Sequence, residues 1–149
     1  MLKVIRSPRE LPWEALDRIY GGSVDRSYLQ YDFFCRPRAV VCLWLEAEEA
    51  VSALRLDPWK DGLLLAGLET APAYRRRGYA QALLLAVCSY LTEQGSAVLY
   101  SHIDHRNIPS IRVHEKSGFR KISDTARLLD GTVTAQMGTY RWDESSSDK

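Results

Sequence analysis

The sequence predicts a mixed α/β domain, α+β in its element order. Its core is a central, mostly antiparallel sheet of six to seven strands with about four helices and one splayed parallel strand pair. Three observations carry that prediction. The first half holds three apolar runs joined by turn-length connections, the pattern of an antiparallel meander. The middle reads as strand, amphipathic helix, strand, which is the parallel crossover unit. The end reads as two strands around Asp130-Gly131, a hairpin turn signal.

The elements follow in order. Residues 3–6 (KVIR) form a short first strand, interrupted by Ser7-Pro8. Pro12 is acceptable in a first helical turn. Trp13, Leu16, Ile19 and Tyr20 then fall at helical spacing until Gly21-Gly22 stops the helix. Ser23 is the expected N-cap of a second helix running through Tyr28 and Leu29 to about Phe33, closed by Pro37. These two helices suit either a substrate-side wall or plain packing. Residues 39–45 read as a strand, 46–49 as a turn, and 50–56 as the returning strand, which Asp57-Pro58 is expected to break. Asp61-Gly62 turns the chain into the next strand, residues 63–70.

The clearest helix follows, with Ala80, Leu83, Leu84, Val87, Cys88 and Leu91 on one face and Gly95 as a C-cap candidate. Residues 97–103 form a strand. Residues 107–117 form a shorter helix, with Asn107 as N-cap, Pro109 in its first turn and Gly118 past its end. Residues 119–129 and 132–142 are expected as two long strands joined at Asp130-Gly131. Residues 1–142 make one domain without an internal repeat, and the polar tail 143–149 (DESSSDK) is expected to be disordered.

A chain of 149 residues is one domain by size and buries about two thirds of its unfolded surface. Its 20 Lys and Arg nearly balance its 19 Asp and Glu, so net charge makes no case for nucleic acid or a membrane surface. Cys35, Cys42 and Cys88 fit no CxxC or zinc spacing, and two of them lie in apolar runs. Reduced thiols in a cytoplasmic protein are the expectation. The first residues hold no signal-peptide apolar region, and no apolar run reaches membrane-spanning length. His102, Asp104 and His105 suggest a metal, but a strand end puts the two histidines on opposite faces and supplies no third ligand. No metal site is expected.

The stretch from Leu63 to Leu91 places a strand's carboxyl end and a helix's amino end around Arg75-Arg76-Arg77-Gly78-Tyr79-Ala80. The first N–H groups of a helix lack internal partners, and its dipole favours negative charge. Gly78 lets backbone approach a ligand closely, and the arginines add forked, charge-assisted hydrogen bonds. The residues themselves therefore point to a phosphate-bearing ligand.

Two stretches carry a resemblance. Arg75, Gly78 and Ala80 match Q/R-x-x-G-x-G/A, and the segment from Asn107 to Phe119 (NIPSIRVHEKSGF) is similar to N-x-x-S/A…E-K-x-G-F. Together they resemble the GNAT superfamily of acetyl-CoA-dependent N-acetyltransferases, whose order of strands and helices fits from Val4 to Trp142. The resemblance implies a GNAT-like sheet in which strand 97–103 splays from strand 63–70 to leave a groove. It implies that backbone N–H groups of Arg76, Arg77, Gly78, Tyr79 and Ala80 bind the pyrophosphate of acetyl-CoA, the co-substrate. It implies that the strand through Leu68 and Thr70 hydrogen-bonds the pantetheine arm, and that Asn107 and Ser110 flank the thioester end.

Acetyl transfer to an amine needs a neutral nitrogen, a polarised carbonyl and a proton for the departing thiolate. Glu69, at the strand's carboxyl end, is the expected base, with partial burial raising its pKa; the alternatives are binding the amine or a salt bridge to an arginine. Many family members carry tyrosine as the leaving-group acid where this chain has His114. That histidine either donates the proton or packs beside its helix, and Ser110 or water serves otherwise. Trp59 is the tryptophan placed to meet substrate. The expected activity is acetyl transfer by direct attack in a ternary complex to a primary amine, on a small molecule or a protein, by a monomer or homodimer. A non-catalytic acyl-CoA-binding sensor is the alternative.

Overall fold

The computed structural model describes residues 1–95 and 97–148, and it builds them on a seven-stranded sheet with a two-stranded annex. The strands are β1 (Leu2–Ile5), β2 (Val40–Glu46), β3 (Glu49–Trp59), β4 (Gly62–Thr70), β5 (Val98–Asp104), β6 (Arg120–Ser123), β7 (Ala126–Arg127), β8 (Val133–Thr134) and β9 (Met137–Asp143). The α-helices are α1 (Trp13–Tyr20), α2 (Arg26–Tyr31), α3 (Tyr79–Glu93) and α4 (Ile108–Lys116). The main sheet runs β1-β2-β3-β4-β5-β9-β6, with β7 and β8 paired separately. Every neighbouring pair in the main sheet is antiparallel except β4 with β5.

Both faces of the sheet are covered, which explains the near-continuous apolar run in β2. Val40 and Cys42 point to a core under α3, shared with Leu54, Leu56, Leu83, Leu84 and Val87. Val41 and Leu43 point to a second core under α1 and α2, shared with Ile5, Leu16, Ile19 and Phe33. Fully burying each such side chain contributes about 1.5–3 kcal/mol against chain entropy. Cys42 and Cys88 are buried and Cys35 is exposed, all as free thiols. No helix among the described residues is long and apolar enough to cross a membrane.

Four local expectations are corrected. Asp57-Pro58 does not break β3, since Pro58 pairs with Leu63 of β4. The partner β2 ends its pairing at Leu56, so β3 has a free edge there that tolerates a residue without an N–H. The N-cap of α2 is Asp25, whose Oδ1 accepts from Tyr28 N–H at 3.0 Å. Ser23 is used instead in the Gly21-Gly22 turn, its hydroxyl donating to the Tyr20 carbonyl at 2.6 Å. That helix also ends at Tyr31, and Phe33–Cys35 is a 3-10 turn.

The last hairpin is not two long strands. Its register shifts between Lys121 and Ser123, and the chain leaves the main sheet at Asp124-Thr125. Thr139 Oγ1 holds the departure by donating to the Thr125 carbonyl at 2.7 Å. The tip then pairs with itself as β7 and β8. In the tail, expected to be disordered, Glu144–Asp148 forms a 3-10 helix next to Asp143, whose carboxylate accepts from Ser145 N–H at 3.0 Å. Lys149 lies outside the described residues.

Candidate active site

The site begins at an irregularity in β4. Arg55 of β3 opposes Ala66 and Ala53 opposes Glu69, so Gly67 and Leu68 together face the single residue Leu54. This is a β-bulge, and bulges bend the strand that carries them. Gly67 has φ +65°, and a Cβ there would stand 2.9 Å from Arg55 Nη1 and 3.3 Å from the Tyr20 hydroxyl. The left-handed φ favours glycine, and a Cβ would also displace the Arg55 guanidinium. The parallel pairing of β4 with β5 covers residues 63–65 against 99–101 and ends just before the bulge. Residues 66–70 therefore have no strand partner on the β5 side, and the two strands open into a groove.

The strand leads into the arginine loop. After the 3-10 turn Pro72–Tyr74, Arg75 Nε donates to the Thr70 carbonyl at 3.1 Å. The Arg77 guanidinium lies 5.5 Å over the Tyr74 ring, whose hydroxyl donates to Glu49 Oε2 at 2.9 Å. These contacts hold the loop while Arg75, Arg76, Arg77 and Gly78 stay exposed. Gly78 is the N-cap of α3, has φ +83° and gives no side-chain cap. Nothing stands within 4 Å of where its Cβ would be. The start of α3, with Tyr79 and Ala80 half-buried, is thus open to an anion.

Helix α4 starts at the carboxyl end of β5. Asn107 Oδ1 caps it by accepting from Ser110 N–H at 3.3 Å. Ser110 is half-buried, and His114, one turn on, is 1 % exposed. His114 Nδ1–H donates to the Ser110 carbonyl at 2.8 Å, and its ring packs edge-on against Phe119. Nε2 is buried without a hydrogen-bond partner among the described residues. Burial lowers the His114 pKa, only partly offset by the bond to Ser110. The ring is neutral, with its one N–H already used. That geometry favours the packed histidine over the proton donor.

Glu69 is exposed, not partly buried as expected, because it follows the bulge and faces open solvent. It lines a cavity of about 260 Å³ with Tyr20, Tyr28, Arg55 and Gly67. Across Gly67 lies a groove of about 500 Å³ bounded by Leu64, His102, Leu128, Leu129 and Met137. Trp59 packs edge-on against His102, ring centroids 5.4 Å apart, and lines neither. The sequence reading brings together Glu69, the arginine loop and Asn107, and passes over Tyr20, Arg55 and Gly67. A glycine within a strand pattern, the mark of a bulge, is the legible signal for the last of these.

Residues 6–119 match the model of the acetyltransferase (GNAT) family. A streptothricin acetyltransferase of Streptomyces lavendulae is 24% identical over 83 residues, covering 56% of this chain and 44% of that protein. The chain thus spans less than half the length of that relative. Among solved structures, Ard1 from Thermoplasma volcanium superposes with a TM-score of 0.72 at 17% identity over 96% of each chain. A Bacillus subtilis acetyltransferase in complex with CoA superposes with a TM-score of 0.70 at 15% identity, over 95% of this chain and 97% of that one. These likenesses speak for the fold.

Proposed function

The chain belongs to the GNAT acetyltransferase family, and on that footing we propose that it moves an acetyl group from acetyl-CoA to a primary amine by direct attack in a ternary complex. One observation carries this reading: the run of β4 after Gly67, unpaired on its β5 side, leads through the arginine loop into an open helix start at Gly78. An extended arm ending in a pyrophosphate matches both parts. The backbone at Leu68 and Thr70 would hold the pantetheine as an added strand. The N–H groups of Arg76, Arg77, Gly78, Tyr79 and Ala80 would hold the pyrophosphate, with Arg75 and its neighbours adding positive charge. Asn107 and Ser110 flank the thioester end.

Acetyl-CoA supplies an activated carbonyl and a thiolate leaving group. The amine must be neutral to attack, although a lysine-like amine has a pKa near 10.4. Glu69 takes its proton, directly or through water. As the C–N bond forms the C–S bond breaks; the thiolate takes a proton from water, directly or relayed through the Ser110 hydroxyl, which water reprotonates, and Glu69 returns its proton to solvent. An aliphatic thiol has a pKa near 8.5, so the thiolate leaves with little help from an acid. His114 acts by packing α4 against Phe119. No enzyme nucleophile is required.

The test is isothermal titration with acetyl-CoA at low salt, followed by thiol release with DTNB across an amine panel. Binding with turnover on any amine supports the transferase. Binding without turnover on a broad panel supports the acyl-CoA sensor instead. Absence of binding overturns both.

A further inference from the structure

We infer that the acceptor carries a carboxylate beside its amine, and that Arg55 is the residue that reads it. The occupant is a small amino carboxylate. The inference rests on the acetyl-transfer reading in calling that occupant the acceptor.

Arg55 and Glu69 line the same cavity of about 260 Å³. They carry opposite charges and do not pair, since neither appears in an ion pair or side-chain hydrogen bond among the described residues. Arg55 is half-buried, and its Nε is fully buried with no hydrogen-bond partner. The buried Nε is a desolvated donor without a partner, and an anion bound at the accessible side of the guanidinium offsets part of that cost.

The other charges near this wall are already engaged. Asp25, which lines the same cavity, uses one carboxylate oxygen to cap α2 through Tyr28 N–H at 3.0 Å and keeps its negative charge. Asp57 is paired with Arg36 at 3.1 Å. Arg55 and Glu69 remain, one for each end of a zwitterion. Gly67 keeps the space between them clear, because a Cβ there would press on Arg55 Nη1 at 2.9 Å. The Tyr20 phenol lies in the field of both charges, Arg55 favouring its ionised form and Glu69 opposing it. The guanidinium offers a planar fork that matches a carboxylate, which an ammonium does not. Leu64, Leu128, Leu129 and Met137 across Gly67 give an apolar side chain a place to lie.

The experiment titrates the CoA-saturated protein with common α-, β- and ω-amino acids, each beside its decarboxylated amine. At least one amino acid is expected to bind about ten- to a hundredfold tighter than its amine. Arg55→Gln is expected to bring that ratio close to one, and Arg55→Lys to keep part of it. The thermal midpoint of Arg55→Gln should not fall, since the variant removes an unpaired half-buried charge. If it does not fold, Arg55→Lys carries the comparison. The inference is overturned if no pair differs, or if the preference survives Arg55→Gln. Thiol release separates the two readings. Arg55-dependent binding without turnover keeps this inference and overturns catalysis. Turnover without a carboxylate preference keeps catalysis and overturns this inference.

Discussion

The Tyr20 hydroxyl donates to the Gly67 carbonyl at 2.5 Å, tying the last residue of α1 to the bulge of β4. Burial pushes the Tyr20 pKa up to about 12, so the phenol keeps its proton and donates throughout the physiological range. The bulge bends β4 away from β5, and the helix that walls the cavity is fastened to that bend. A contact between residues 47 positions apart therefore joins the first helix to the irregular stretch of β4.

Tyr20→Phe should test this link with little change in shape. It leaves the Gly67 carbonyl without its donor at an expected cost of about 1 kcal/mol. Urea unfolding should show a lower midpoint with unchanged slope. Acetyl-CoA affinity should hold while kcat/KM for the amine falls.

Gly67→Ala should do more harm. It forces a side chain into φ +65° and against Arg55 Nη1, an expected loss of about 1–3 kcal/mol. A variant as stable as the parent chain would mean that the bulge is not built as described.

Gly78→Ala separates coenzyme binding from stability. The position has φ +83° but open space around it, so the cost is strain of about 1 kcal/mol. On the proposed mode of coenzyme binding, the added methyl would stand on the path of the pyrophosphate. Calorimetry should show acetyl-CoA binding at least about tenfold weaker, with a native circular dichroism spectrum.

Glu69→Gln removes the proposed base. Because Glu69 is exposed, stability should stay within about 0.5 kcal/mol of the parent chain. Loss of a general base lowers kcat by about 10²–10⁴. A turnover rate within a factor of a few of the parent would assign the proton to water alone.

The pH dependence of stability should carry the signature of His114. Burial lowers its folded pKa below the unfolded value near 6.5. Below that pH the unfolded chain binds a proton that the folded chain refuses, so stability falls as pH drops from about 6.5 through the folded value. His102, lowered by burial and then by Lys60, acts with the same sign. His114→Leu should flatten the slope below about pH 6.5 and change kcat by less than about tenfold. A far larger loss of kcat would restore the proton-donor role.

Much of this molecule is decided within short windows of sequence. The stripe from Ala80 to Leu91 determines α3 because side chains three and four apart share a helical face. Asn107, Pro109 and Gly118 bound α4 because capping and turn preferences act over one turn. The arginine-glycine loop is legible as an anion site for the same local reason, and with the Asn107 segment it is legible as GNAT.

What the windows do not contain, tertiary structure decided. Ser23 and Asp25 are both good caps, and the preceding turn uses one and leaves the other. Pro58 stays in β3 only because β2 stops at Leu56. The bulge depends on how β4 lines up with β3, and the partners of Gly67 come from residues 20 and 55. His114 has the same local sequence whether exposed or buried, and only the fold buries it and sets its ring edge-on against Phe119. Arg55 and Glu69, 14 positions apart in sequence, come together only in the cavity they share. Local propensity reads energies summed over neighbouring residues, whereas register, burial and charge pairing depend on segments that folding alone brings together.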